Sequence, residues 1–281
     1  MATIDDLRLQ FQKQVCSRSM FRKSGNTPSI ADASSKISTA LSKKVIVKLG
    51  HPLASSRISS QTAGRRFEEA VCNYVEAALT LLSHLRPAKF VYNIHVDISS
   101  FHQYSHLADL KQLMKGNKQL QTTLGSYVVK PDVIVGRKPI TDEEINVSDN
   151  VVNTESYPKL TQIRESNQEQ ATEILHASIS CKLTLRSDRS QNARTEGLNL
   201  IRHRKGHSPH IVVVTAEPMP TRISSLALGT GDIDCVYHFS LHELVEATKE
   251  LGKETATELL DMMISGNRLR DISDLPFDLV A

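Results

Sequence analysis

The chain has 281 residues, 40% hydrophobic and 23% charged, with 34 Lys and Arg against 31 Asp and Glu. Those are ordinary values for a globular chain with a substantial core, one large domain or two small ones, and the net charge of +3 argues only weakly for a polyanionic partner. Four scattered cysteines without a C-x-x-C pair read as buried thiols of a reduced, cytoplasmic protein, no apolar stretch nears the roughly 20 residues of a membrane span, and Met1-Ala-Thr-Ile-Asp-Asp6 lacks the pattern of a signal peptide.

In chain order, residues 1–60 are rich in Ser, Lys and Arg and predict one helix near 4–15 followed by a polar arm. Gln61-Thr-Ala-Gly64 leads into a long helix, because Phe67, Ala70, Val71, Tyr74, Val75, Ala78, Leu79 and Leu82 recur at helical spacing and Pro87 follows. Phe90 to Ile98 alternates as a half-buried strand, and Leu107, Leu110, Leu113 and Met114 predict another helix. Tyr127 to Gly136 is a β-rich run with Asp132 inside it. Residues 137–172 are polar and irregular, as in a flap or insertion.

His176 to Arg186 alternates strictly. Ala177, Ile179, Cys181, Leu183 and Leu185 share one face; Ser178, Ser180, Lys182, Thr184 and Arg186 share the other. A helix near 190–204 follows, with Ala193, Leu198 and Ile201 inward. Pro209 to Thr215 is apolar enough for a central strand, Ile233 to Phe239 is a further strand, and two helices near 241–250 and 254–264 close the chain. Strands and helices mix without a strict βαβ rhythm. The expected fold is α/β: one domain over 1–281 with a central mixed sheet flanked by helices.

A carboxylate on one strand and a lysine on another suit magnesium-dependent phosphodiester hydrolysis. The metal is held by a carboxylate, a backbone carbonyl and waters, and an ammonium sits beside the scissile phosphate. Asp132 is the central candidate ligand, Lys182 the ammonium, and the Cys181 carbonyl needs no particular side chain. The frequent nuclease pattern has an acid two residues before the lysine, where this chain has Ser180. Glu196 on the next helix, or Glu68 on the long helix, could restore that charge. Each residue also has a plainer reading. Glu68 or Glu69 could be a solvated helix carboxylate, Glu196 a partner of Arg194 or Lys205, and Asp132 a turn residue.

Arg186, Asp188 and Arg189 lie just past the lysine strand, in a basic stretch over 180–210. Arginine can bridge O6 and N7 of guanine and aspartate can accept from cytosine N4, so the triplet could read adjacent G and C edges in a major groove. The plainer reading is Asp188 as a helix cap with solvated arginines. His203, His207 and His210 lack a thiolate or a close acidic partner for a metal. Gly229-Thr-Gly231 lacks the third glycine and preceding strand of a dinucleotide fingerprint.

Several segments resemble the NgoMIV-type family of type II restriction endonucleases, whose sites contain a CCGG core. They are His176-Ala-Ser-Ile-Ser-Cys-Lys182, Arg186-Ser-Asp-Arg189, Gln191-Asn-Ala-Arg194, Glu196-Gly-Leu-Asn-Leu200, Pro209 to Pro218, and Ala227-Leu-Gly-Thr-Gly231. The resemblance returns at Asp271-Ile-Ser-Asp-Leu-Pro276, and includes Gln61-Thr62, Gly64 and Phe67-Glu68. It is weak over 1–60 and 137–172. It implies a restriction-endonuclease-like fold, the displaced-acid variant of the PD…(D/E)xK nucleases, over the whole chain. It further implies Asp132, Ser180, Cys181, Lys182, Glu196 and Glu68 (rather than Glu69) as the catalytic and metal-binding set. It places CCGG reading on Arg186, Asp188 and Arg189, and outer-base contacts on Asp32, Arg222 and, in the minor groove, Gln61. The implied partner is double-stranded DNA at GCCGGC, cut after the first G to leave four-base 5′ overhangs. The implied assembly is a homotetramer; a palindrome by itself requires a two-fold dimer at least. Two other readings are a sequence-specific DNA-binding protein that does not cleave and a repair or junction-resolving nuclease of the same fold.

Overall fold

A computed structural model describes residues 2–124, 129–168, 171–229 and 231–281. Helix α1 (Ile4–Ser19) opens with a capping box between Thr3 and Asp6. A two-residue ladder of β1 (Arg22–Lys23) and β2 (Thr27–Pro28) leads to α2 (Lys36–Leu49), which ends on Gly50 in the left-handed conformation. The expected polar arm is therefore half helix. Leu41, Val45, Ile46 and Leu49 form a buried stripe at helical spacing among the lysines and serines that mask it in composition.

The long helix α3 (Ser60–Leu81) is capped by Ser59, whose Oγ accepts the Thr62 N–H at 3.0 Å. The predicted stripe is buried, from Phe67 to Leu79. Each fully buried large side chain there contributes about 1.5–3 kcal/mol. The chain continues through β3 (Phe90–Ile94), α4 (His106–Met114), α5 (Lys118–Leu124), β4 (Val133–Arg137) and α6 (Asp142–Ile145). Of the predicted run from Tyr127, residues 127 and 128 lie outside the described residues, and Asp132 immediately precedes the strand instead of lying within it. Within 137–172, the buried Arg164 pairs with Asp142 at 2.6 Å and Ile140 bridges to Arg164, which ties the segment to itself.

Beyond this point the alternation becomes regular. It runs through β5 (Ile174–Lys182), α7 (Ser187–His203), β6 (His210–Thr215), α8 (Pro220–Ala227), β7 (Cys235–His238), α9 (Leu241–Glu250), α10 (Glu254–Ser265), β8 (Leu269–Asp271) and α11 (Leu275–Val280). The predicted pair of closing helices is thus followed by a short edge strand and a last helix, too brief to register as periodic patterns. The six-stranded sheet has the order β3-β4-β5-β6-β7-β8. Its first three strands are antiparallel and β5 to β8 parallel, so the sheet is mixed, and helices cover both faces.

The polar face expected on β5 is not open to solvent. Ser178 and Ser180 are buried, because β5 sits at the sheet centre with α7 across its serine face. The inward residues of α7 are Ala193, Gly197 and Leu200, while Leu198 and Ile201 are half-buried. The helix phase differs from the expected one because a small residue must face the neighbouring loop. A Cβ on Gly197 would stand 2.5 Å from the Asp232 carbonyl oxygen. Small residues on strand and helix together bring α7 close to β5.

Candidate active site

Antiparallel pairing sets Val133 opposite Ile179, which brings Asp132, one residue earlier, level with Ser180. Asp132 Oδ2 accepts from the Cys181 N–H at 2.7 Å and from Lys182 Nζ at 2.7 Å, with Ser180 Oγ at 3.5 Å. Asp132 Oδ1 carries no hydrogen bond among the described residues. A strand residue turns its N–H and C=O toward the same edge, so the Cys181 carbonyl also faces the Asp132 side. The Lys182 carbonyl faces β6, where Thr215 Oγ1 donates to it at 2.7 Å.

The acid absent from the strand is supplied from α7. Ser180 Oγ lies 3.3 Å from Glu196 Oε2, between the Glu196 and Asp132 carboxylates. Arg194 donates to the Ser225 carbonyl instead, so it does not take up Glu196. Glu68 approaches from α3. Its Oε2 is buried without a hydrogen bond, although His95 Nε2 stands 2.9 Å away. Neighbouring Glu69 is a surface carboxylate paired with Arg65 at 3.3 Å.

The electrostatics follow from burying these charges together. Desolvation raises the pKa of Glu196 and the repulsion from Asp132 adds to it, against the attraction of Lys182. Desolvation raises Glu68 as well, again with Asp132 adding, while His95 and Lys182 oppose. Burial works against the charge on Lys182, but Asp132 and Glu196 more than offset it and its pKa is raised. The ammonium is held charged among carboxylates that resist full ionisation. That is the electrostatic state of a site short of positive charge.

Whether a divalent cation suits these residues can be judged from the donors. Among the described residues, no three acidic, histidine or cysteine side chains converge tightly enough to enclose a metal ion by themselves. The Asp132 carboxylate, the carbonyl of Cys181 and Glu68 Oε2 are nonetheless hard oxygen donors: Glu68 and Cys181 line one cleft, and Asp132 is bonded to the Cys181 N–H and to Lys182 beside it. Magnesium takes few protein ligands and keeps several waters, so this donor set fits it.

A cleft of about 330 Å³ is lined by Glu68, Cys181 and Lys182 together with Arg186 and Arg189. Two of the base-reading triplet, Arg186 and Arg189, therefore open onto the same space as Lys182, while Asp188 lies outside its lining. Strand β5 ends at Lys182, and Arg186 is the N-terminal flanking residue of α7, not a strand residue. Asp188 makes no side-chain cap; Arg186 and Asp188 are exposed and carry no partner among the described residues. Arg189 is anchored by Thr184, whose Oγ1 and carbonyl accept from Nη1 at 2.7 and 3.1 Å.

The three outer candidates are distributed differently. Gln61 is exposed in the first turn of α3, seven residues before Glu68 and so about 10 Å along the helix. Asp32 and Arg222 form an ion pair next to the cleft. Hydrogen bonds from Ser34, then the Arg222 contact, hold the Asp32 carboxyl down at about 2.

Two residues near the site escaped the sequence reading. His95 follows β3 at a φ of 56°, an uncommon conformation for a non-glycine residue, and reaches Glu68. Glu217 is fully buried yet charged-type, and its signal was a lone acid directly after the apolar β6 run.

A family profile described as NgoMIV restriction enzyme matches residues 11–281. The Type II restriction enzyme NgoMIV of Neisseria gonorrhoeae is 46% identical over 257 residues, which cover 89% of this chain and 88% of that relative.

Proposed function

The chain belongs to the NgoMIV restriction enzyme family, and from that premise we propose how its cleft cuts DNA. It is a type II restriction enzyme, a site-specific deoxyribonuclease. The proposed finer reading is a magnesium-dependent enzyme of a restriction–modification system that cuts GCCGGC after the first G, leaving four-base 5′ overhangs. It acts in the cytoplasm as a homotetramer built from dimers. No helix among the described residues is long and apolar enough to cross a membrane.

The observation that carries the reading is the 2.7 Å contact between Asp132 and Lys182, the latter lining one cleft with Arg186 and Arg189. Asp132, the Cys181 carbonyl, Glu68 and, through Ser180, Glu196 would hold magnesium. When bound, the metal supplies charge neutralisation at phosphorus and acidifies a water. Lys182 sets its ammonium against a non-bridging phosphate oxygen and orients the attacking water. Ser180 has one hydroxyl proton to share between Asp132 and Glu196, so it keeps two like charges apart at hydrogen-bond distance. Arg186 and Arg189 read guanine and Asp188 reads cytosine; Arg222, Asp32 and Gln61 read the outer pair. A single protomer contributes one such set, so each palindrome takes two.

The test is supercoiled DNA carrying GCCGGC sites, digested with magnesium and end-mapped. Cuts after the first G at those sites and none with EDTA support the proposal. Cutting elsewhere, or undiminished cutting by Asp132→Ala, rejects it. A non-cleaving DNA-binding role is disfavoured by the joint presence of Asp132, Lys182, Glu68 and Glu196 in one cleft region. A repair nuclease is disfavoured by the exposed Arg186 and Asp188, whose side chains carry no partner among the described residues.

A further inference from the structure

Glu217 has no role in the chemistry described above, yet it is the most completely enclosed acid near the cleft, at 0% exposure. Its two oxygens accept from two different loops. The Leu185 N–H donates to Oε2 at 2.7 Å, and the Met219 N–H donates to Oε1 at 3.1 Å. Leu185 immediately precedes Arg186, so one hydrogen bond fixes the start of the triplet. Met219 precedes α8, which carries Arg222, and the Arg222 Nη1 lies 3.8 Å from Glu217 Oε2. The backbone of Glu217 is tied just as firmly. Its N–H donates to Thr215 Oγ1 at 3.1 Å, the hydroxyl that in turn donates to the Lys182 carbonyl. Its carbonyl meets His238 Nε2 at 3.2 Å.

We propose that Glu217 is a positioning residue that locks the Arg186–Arg189 loop and Arg222 into one register with the Lys182 strand, so that inner-base reading, outer-base reading and phosphate placement are set together. This rests on the proposed reading of the cleft. A structural carboxylate could be replaced by apolar packing; this one instead holds three segments that the reaction needs in fixed relation, and both of its oxygens are committed. Loss of its charge would free the Leu185 and Arg222 contacts at once.

Burial lifts the Glu217 carboxyl to about 7, against the Leu185 N–H, Arg222 and the Met219 N–H. Arg222 on α8 is the cation that faces it. Asp32 before α2 is held down at about 2 and His238 on β7 is pushed down to about 4 by burial, so neither changes state near neutrality. Glu68 and Glu196 titrate with raised values too, but they act on every DNA site alike and cancel in a ratio of rates.

The experiment measures kcat/KM for the mapped site, for a site changed in the outer pair and for a site changed in the inner pair. It uses wild type and Glu217→Gln, with melting temperatures for both. The amide keeps the volume but presents N–H to one of the two donors. The expected result is a folded variant whose cognate-to-altered ratio drops at least tenfold at both the outer and the inner position. A variant slowed equally on all three sites, or relaxed at only one of the two positions, overturns the proposal. If Glu217→Gln does not fold, the wild-type ratio decides. It should fall at least threefold from pH 8 to pH 6 at both positions, and a flat ratio overturns the proposal. Failure of wild type to cut any CCGG site would sink the parent reading instead, so the two failures are distinct.

Discussion

Replacing Lys182 with methionine keeps most of the side chain's length and removes its charge. The ammonium lies 2.7 Å from Asp132 Oδ2, with Glu196 also within electrostatic reach. At an effective dielectric of about 20, a pair at that separation attracts by roughly 6 kcal/mol before desolvation is counted. Burying the ammonium offsets much of this. What bears on rate is the charge aimed at the phosphate, and removing one such preorganised group costs about 3–4 kcal/mol, or ~10²–10³ in rate. A second effect works in the same direction. Without Lys182, Asp132, Glu196 and Glu68 face one another with no lysine between them, so Glu196 and Glu68 hold their protons to higher pH and the cleft takes up a cation less readily. Single-turnover cleavage of a plasmid with one mapped site should therefore fall at least ~10²-fold at neutral pH. Binding measured by gel shift with calcium in place of magnesium should persist, because Arg186 and Arg189 are untouched. Cleavage within about tenfold of wild type, ~1.4 kcal/mol, would refute the assignment of Lys182 to the phosphate.

Arg186→Ala should weaken binding of the mapped site by roughly 1–3 kcal/mol and relax preference at one inner base pair; a uniform loss across sequences would mean a phosphate contact instead. Gly197→Ala should destabilise the fold by about 1–3 kcal/mol, since its Cβ would press on the Asp232 carbonyl at 2.5 Å, and should slow cleavage more than binding because Glu196 is adjacent; an unchanged urea midpoint would contradict this. Arg8→Ala should cost about 3–5 kcal/mol by urea unfolding, as it strips two bidentate pairs, with Glu243 and with an Asp271 that is 1% exposed. Cleavage should fall as pH is lowered, starting above the ordinary glutamate range, because Glu68 and Glu196 must be ionised to hold a cation and both have raised values; added magnesium competes with those protons and should shift the limb to lower pH, whereas a limb that ignores magnesium would exclude these acids from the metal site.

The sequence made the sheet centre readable because β4, β5 and β6 carry period-2 or wholly apolar runs, and α3 because its stripe spans about four turns. It hid α2 because its four buried apolar residues are diluted by Ser and Lys, and hid β8 and α11 because three and six residues are too few to show a period. The burial of the β5 serine face was not legible, because alternation reports polarity, not what packs above it. Within the site, Asp132 and Lys182 were legible as residue types, but their shared cleft depends on an antiparallel register between segments 50 residues apart. Asp32 and Arg222, 190 residues apart, could be joined only by the fold. Nothing local to His95 announced a role, and for Glu217 the one local signal was a lone acid after an apolar run.

The geometry also explains why a serine suffices where related nuclease patterns carry an acid. A carboxylate on β5 at position 180 would lie level with Asp132, one residue before the neighbouring strand β4, two like charges in register beneath a covering helix. Moving the acid to Glu196 puts it one layer away, on α7, with the Ser180 hydroxyl between the two at 3.3 and 3.5 Å. That arrangement requires the helix to come close. Ser178 and Ser180 on the strand and Ala193 and Gly197 on the helix leave the room, and each is buried. The same close approach sets the start of α7, with Arg186 and Arg189, against the cleft. Displacing the acid onto the helix and presenting the base-reading triplet are thus one structural solution, since both depend on how near α7 lies to β5.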